Sequence, residues 1–220
     1  MAGANLAMLI GGIGMYLLLT LITRFAQTPH AAGYGFGLST FVAALVLVPF
    51  SALGFVAGKV TPRLRRRIGA SRQLAASAVV VLAAFALFAL ARSNITELLI
   101  AMAILGFGVG SFSAAMPAVI LAVTPKSETS SAMSFNQVVR SVGFSLGSAL
   151  GGLVLAAGTS AGQTFPSDGS YTTAAWIGAA TMTITAAISV TLSRPGTGPA
   201  PGPAPVGTTP PAAGSERPAR

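Results

Sequence analysis

Long apolar runs, each about the length of a bilayer crossing, follow one another along the chain with short polar breaks between them. No Lys, Arg, Asp or Glu occurs from Phe25 through Gly58. A helix rises about 1.5 Å per residue and the hydrocarbon core is about 30 Å thick, so about 20 apolar residues cross it. Six runs reach that length: 5–23, 34–58, 73–91, 97–123, 129–157 and 171–193. The fifth holds one charge, Arg140. The runs are too long for barrel strands and do not alternate polar with apolar. The breaks between them hold Pro29, Pro62, Pro125 and Pro166, where a missing N–H costs little. The pattern predicts an all-α, polytopic membrane protein with one transmembrane domain over 1–193. The stretch 194–220 has eight prolines among Gly, Ala, Ser and Thr. It cannot bury a core and reads as a disordered, Pro-rich tail.

Composition agrees. Of 220 residues, 53% are hydrophobic and only 8% charged, where soluble domains carry about 25% charge. The net charge of +9 invites a nucleic-acid reading, but the Arg residues sit between apolar runs and interleave with no aromatics. They set orientation instead. With both termini cytoplasmic, Lys59, Arg63, Arg65, Arg66, Arg67, Arg72, Lys126, Arg194, Arg217 and Arg220 fall inside and only Arg24 and Arg92 outside, the bias expected of a cell-membrane protein. The first residues, MAGANLAML, lack the basic start of a secretory signal. No Cys is present, so thiolate metal sites are excluded. The single His30, the single Asp168 and the absence of H-E-x-x-H leave no enzymatic constellation. Neither metal nor cofactor is implied.

Three features carry candidate chemistry. Gly58, Arg63, Arg66 and Arg67 belong to a basic segment, GKVTPRLRRRIG, after the second run. It reads as a topological anchor at anionic headgroups. Gly143, Gly147 and Gly151 recur every four residues on one face of the fifth run, which admits a close neighbour helix. Arg140 lies near the middle of that run with Asn136 one turn earlier. A charge there costs about 3 to over 10 kcal/mol on an isolated helix, so it should face an interior or an aqueous cavity. It is either a structural Arg satisfied by carbonyls and water or a substrate or coupling residue. The acidic residues Glu97, Glu128, Asp168 and Glu216 all lie at helix ends, in loops or in the tail. In the fourth run Gly106, Gly108 and Gly110 permit close packing and Pro117 a kink; the glycines follow no strand and are no dinucleotide fingerprint.

The segment from Gly58 to Gly69 resembles the basic motif G-x-L-A-D-R-x-G-R-R-R that joins helices two and three in each half of major facilitator superfamily transporters. Gly58 and Arg63 match, Arg66 and Arg67 fall in its basic run, Pro62 replaces its Asp and Arg65 its second Gly. The fifth run, with R-x-x-G-x-x-x-G from Arg140, resembles the penultimate helix of fourteen-helix multidrug antiporters, and Ser148 stands where a related antiporter motif has Pro. The stretches RFAQTP and GYGFG with the later PFS resemble the start of the C-terminal half in actinobacterial members. The resemblance spans about Asn5 to Ser193 and implies a six-helix half of that fold. It further implies transport of small molecules, efflux of amphipathic compounds or drugs, a gating role for Gly58, Arg63, Arg66 and Arg67, and protons as coupling ions. Such a half needs a second one, as a missing N-terminal half, a partner chain or a second copy. A non-transporting six-helix subunit or a truncated remnant is the alternative.

Overall fold

The computed structural model describes residues 2–122 and 124–192, so the tail expected over 194–220 lies outside the described residues. Its helices are α1 (Ala2–Gln27), α2 (Thr40–Leu45), α3 (Leu47–Ile68), α4 (Ala70–Leu90), α5 (Ile95–Ala122), α6 (Thr129–Ala157) and α7 (Asp168–Thr191). Single 3-10 turns lie at His30–Ala32 and Lys126–Glu128. α2 and α3 together form one apolar stretch, so six helical stretches are long and apolar enough to cross a membrane. No strand occurs among the described residues.

Two boundaries differ from the hydropathy pattern. The second apolar run begins at 34, but its helix begins at Thr40. Gly33, Gly35 and Gly37 take φ of 83°, 82° and 57°, a left-handed path that no helix continues. Ser39 then accepts a hydrogen bond from the Val42 N–H and starts the helix. The basic stretch 59–72, expected as a break containing Pro62, is mostly helix. α3 runs through Pro62 to Ile68, and the chain turns at Gly69, whose φ is 85°. Proline costs this helix one bond to the carbonyl of residue 58. Gly58 is exposed there, so water can take that bond's place.

The helices pack in a pattern that repeats. α1 lies against α6 and α7, α5 lies against α3 and α4, and α4 pairs with α7. Exchanging the first three crossings with the last three leaves these pairings unchanged. Three crossings per unit is odd, so the two units run oppositely through the membrane, as an inverted repeat. Leu17, Leu18, Leu21, Phe85, Phe88 and Phe112 fill the middle. α3 and α6 stand at the flanks. Only 17% and 22% of their apolar stretches are buried, against 56% for α1 and 50% for α5, so each presents a face that the described chain leaves uncovered.

Candidate functional site

Small residues on α6 decide how near it comes to α1. A Cβ on Gly143 would stand 2.6 Å from the Leu9 carbonyl oxygen, and one on Gly147 would overlap that of Ile13. Any larger residue at either position forces the helices apart. At Gly151 an added Cβ meets Thr20 at an ordinary 3.6 Å. α5 makes the same kind of approach to α3, where Gly106 and Gly110 rest on the backbone of Phe50 and Gly54. The two glycine seams are counterparts under the internal repeat.

The α1–α6 seam carries polar groups inside the membrane stretch. Asn136 Nδ2 donates to Asn5 Oδ1 at 2.9 Å. Arg140 is the twelfth of the 29 residues of α6, about 4.5 Å from the helix midpoint at the usual rise. Its Nε is buried and meets no hydrogen-bond partner among the described residues. The guanidinium carbon lies 5.4 Å from the Phe144 ring centroid, and Tyr16 of α1 stacks on the same ring at 4.1 Å. Arg140 and Asn136 thus share the seam, one turn apart, and Asn136 gives its hydrogen bond to Asn5 instead.

Beside them runs a feature that hydropathy had hidden. Ser134, Gln137, Ser141, Ser145 and Ser148 are all exposed on α6. Their spacing of three and four places them on one face, along about 21 Å of helix. Ser141 Oγ donates to the Gln137 carbonyl at 3.1 Å and Ser145 Oγ to that of Ser141 at 3.0 Å, so the hydroxyl oxygens keep lone pairs turned outward. Val138, Val142 and Leu146 alternate with all of these but Ser148 along a shallow, open groove lined by α6 alone among the described residues. The serine spacing was visible in the sequence, but a mean over an apolar run averages it away.

Gly58, Arg63, Arg66 and Arg67 lie exposed along the last turns of α3. Arg63 Nη1 donates to the Lys59 carbonyl at 3.3 Å, and Lys59 Nζ sits 4.4 Å from the Phe55 ring. α3 packs on α5, so this basic end is separate from the Arg140 seam. Nearby a buried polar node ties three helices: Ser111 Oγ accepts from Gln73 Nε2 at 2.6 Å and shares a 2.9 Å hydrogen bond with Thr61 Oγ1.

The opposite end is built around Arg92, which in the sequence reads only as a loop charge. Its guanidinium pairs with Asp168 at 2.6 Å and donates to Thr172 Oγ1 at 2.7 Å. It also donates to the Phe88 carbonyl at 3.2 Å. It lies against the rings of Phe25 and Phe88. Tyr171, its neighbour across Phe25, shares a hydrogen bond with Thr28. Tyr34 donates its hydroxyl to the Pro166 carbonyl. Burial first, then the neighbouring Tyr171, pushes the Tyr34 pKa up to about 12. Asp168 is therefore committed to Arg92 and is not a partner for Arg140.

Comparison with known proteins bears on what this arrangement belongs to. The profile described as Major Facilitator Superfamily matches residues 4–217. The crystal structure of the peptide transporter POT in complex with alafosfalin superposes with a TM-score of 0.63 at 17% identity, over 86% of this chain and 37% of that one. The crystal structure of the nucleoside transporter NupG gives 0.64 at 19% identity, over 86% and 47%. The chain thus spans less than half the length of the solved structures it matches. No curated protein sequence matches it.

Proposed function

Because the chain belongs to the major facilitator superfamily, a family of multi-pass membrane transporters, we propose that it is one six-helix half of a permease that exports amphipathic or drug-like compounds. The second half stands against the flank of α3 and α6. The substrate passes along the groove of α6, with Arg140 and Asn136 at its edge as substrate or coupling residues. The basic end of α3, at Gly58, Arg63, Arg66 and Arg67, acts as the gate on the cytoplasmic side of the cell membrane, where both termini lie.

One observation carries this reading. A helix of membrane-crossing length leaves Ser134, Gln137, Ser141 and Ser145, with half-buried Arg140 beside them, on a face the described chain does not cover. Lipid would penalise such a face, whereas a water-filled path between two halves accepts it. The test pairs the chain with a second six-helix half in membrane vesicles. Arg140→Ala should insert and express normally while efflux falls at least tenfold, and Arg140→Lys should recover part of it, since Lys lacks the planar donor fork. Undiminished efflux by the Ala variant would remove Arg140 from the transport path.

A second reading is a six-helix subunit or remnant that transports nothing, since close-packed glycine seams and a basic helix end would serve a partner-binding protein too. Its mark would be upstream DNA that encodes no further hydrophobic half in frame.

A further inference from the structure

Arg140 is half-buried, and its Nε is buried without an acceptor among the described residues. Arg stays charged at every physiological pH, and a charge withdrawn from water is expensive unless something opposite in sign meets it. Among the described residues nothing does. Asp168 is held by Arg92. Glu97 accepts from the Ser93 and Asn94 backbone N–H groups at 2.7 and 3.1 Å. Glu128 stands just before α6, twelve residues and about 18 Å of helix rise away from Arg140. Arg140's one close companion is the face of Phe144, backed by Tyr16. A ring face steadies a cation but leaves its N–H donors unused, and Nε is buried without an acceptor.

The surroundings define what would complete it. Gln137, one turn before Arg140 on the same side of the helix, is a wall of the groove. The groove interleaves Ser134, Ser141 and Ser145 with Val138, Val142 and Leu146. It is therefore suited to a body that is apolar on one side and hydrogen-bonding on the other. No negative side chain lines it, and the charge beside it on α6 is Arg140, so an amphipathic cation would find no counter-charge there.

Resting on the transport reading above, we propose that the solute carried past α6 is an amphipathic organic anion. Its acid group is received by Arg140, and its apolar body lies along the groove from Val138 to Leu146. An acid oxygen that accepts from the guanidinium forms the charge-assisted, potentially two-pronged bond for which Arg is suited. Desolvation beside Phe144 strengthens it. The preference is opposite to that of a site made for lipophilic cations.

The experiment uses the full chain, purified in a zwitterionic detergent, and three probes that share one body: 4-phenylbutyrate, 4-phenylbutylamine and 4-phenylbutanol. Equilibrium dialysis at neutral pH should give saturable binding with a Kd for the carboxylate at least tenfold below those of the amine and the alcohol. Arg140→Gln should erase that preference, and Arg140→Lys should keep part of it. The comparison of end groups on the unaltered chain needs no variant to fold. Equal binding of all three probes, tighter binding of the amine, no saturable binding of the carboxylate, or a preference that survives Arg140→Gln would each overturn the proposal. Displacement of the carboxylate by one equivalent of phosphatidylglycerol would assign the anion to a lipid headgroup and overturn it too. Binding by the chain alone asks nothing of transport. An anion preference with no flux in the paired assembly would sink the permease reading and leave this one. Lost flux in Arg140→Ala with indifferent binding would do the reverse.

Discussion

A single added methyl separates two glycines that look alike in the sequence. Gly143, Gly147 and Gly151 share one spacing, yet a Cβ at 147 would invade the Ile13 carbonyl while one at 151 finds ordinary space. Gly147→Ala should therefore cost about 1–3 kcal/mol through enforced separation of α1 and α6. Gly151→Ala should change stability by less than about 0.5 kcal/mol. Thermal unfolding of the two variants in one detergent reads the difference. The repeat of four was legible because a helix puts such residues on one side. Which of them touches backbone was not, since that depends on the angle at which α1 crosses. Arg140 announced itself as a charge in an apolar run, whereas Arg92 did not, because its partner Asp168 is 76 residues distant. Tyr34 offers a pH test at the same end. Its pKa of about 12 lies above the unfolded value of about 10, so the fold prefers the neutral phenol. That contribution is fully present below pH 10 and is lost as pH rises from 10 through 12. Absorbance titration should show about a tenth of Tyr34 as phenolate at pH 11, where a free tyrosine would be about nine-tenths ionised, so Tyr34→Phe should barely change the spectrum at that pH.

Glycine seams hold α6 to α1 and α5 to α3, and polar contacts fasten α4 to α7; the hydropathy pattern saw only what the helices have in common. All six crossings were legible from run length, because a bilayer demands the same 30 Å of every one. The end of α3 was not, since four arginines read as a loop although they extend a helix out of the apolar zone. α4 and α7 are fastened at one end by Arg92 with Asp168 and Thr172, and at the other by Ser71 Oγ, which donates to the Leu192 carbonyl at 3.3 Å. Arg92→Ala should lower stability by about 2 kcal/mol, because it strips a charge-assisted acceptor and a hydroxyl of their donor. Asp168→Asn should cost less, since that carboxylate is half exposed. Chemical unfolding of the two variants would rank them, and an equal loss would mean that Arg92 acts through Asp168 alone, its ring and Thr172 contacts adding nothing. Orientation is settled separately. Single cysteines at His30, Ser93 and Ser167 should react with an impermeant maleimide in intact cells and one at Ser127 should not, as the charge bias requires; the opposite labelling would invert the protein.

At the scale of the whole molecule, the bundle has an inside and two unfinished flanks. Residues 4–217 match the family profile, and the chain spans 37% and 47% of the two solved transporters. We expect the chain alone, folded in liposomes, to show no accumulation that follows an imposed pH gradient. Among the described residues no Asp or Glu lies within the apolar part of a crossing to carry the proton. Accumulation that follows the gradient and collapses with an uncoupler would refute this. A feature of the seam between α1 and α6 also bears on how such a protein is made. Asn5 and Asn136 touch across a separation of 131 residues. Within this chain α1 is made before α6, the crossing that carries Arg140 within its apolar stretch. Arg140 alone adds about 3 kcal/mol to the entry of an isolated helix into lipid. Newly made α6 therefore has reason to stay at the translocon until its glycines find Leu9 and Ile13. During synthesis the face of α1 at Leu9 and Ile13 must stay vacant, so anything that occupies it early would hinder the entry of α6 into the membrane.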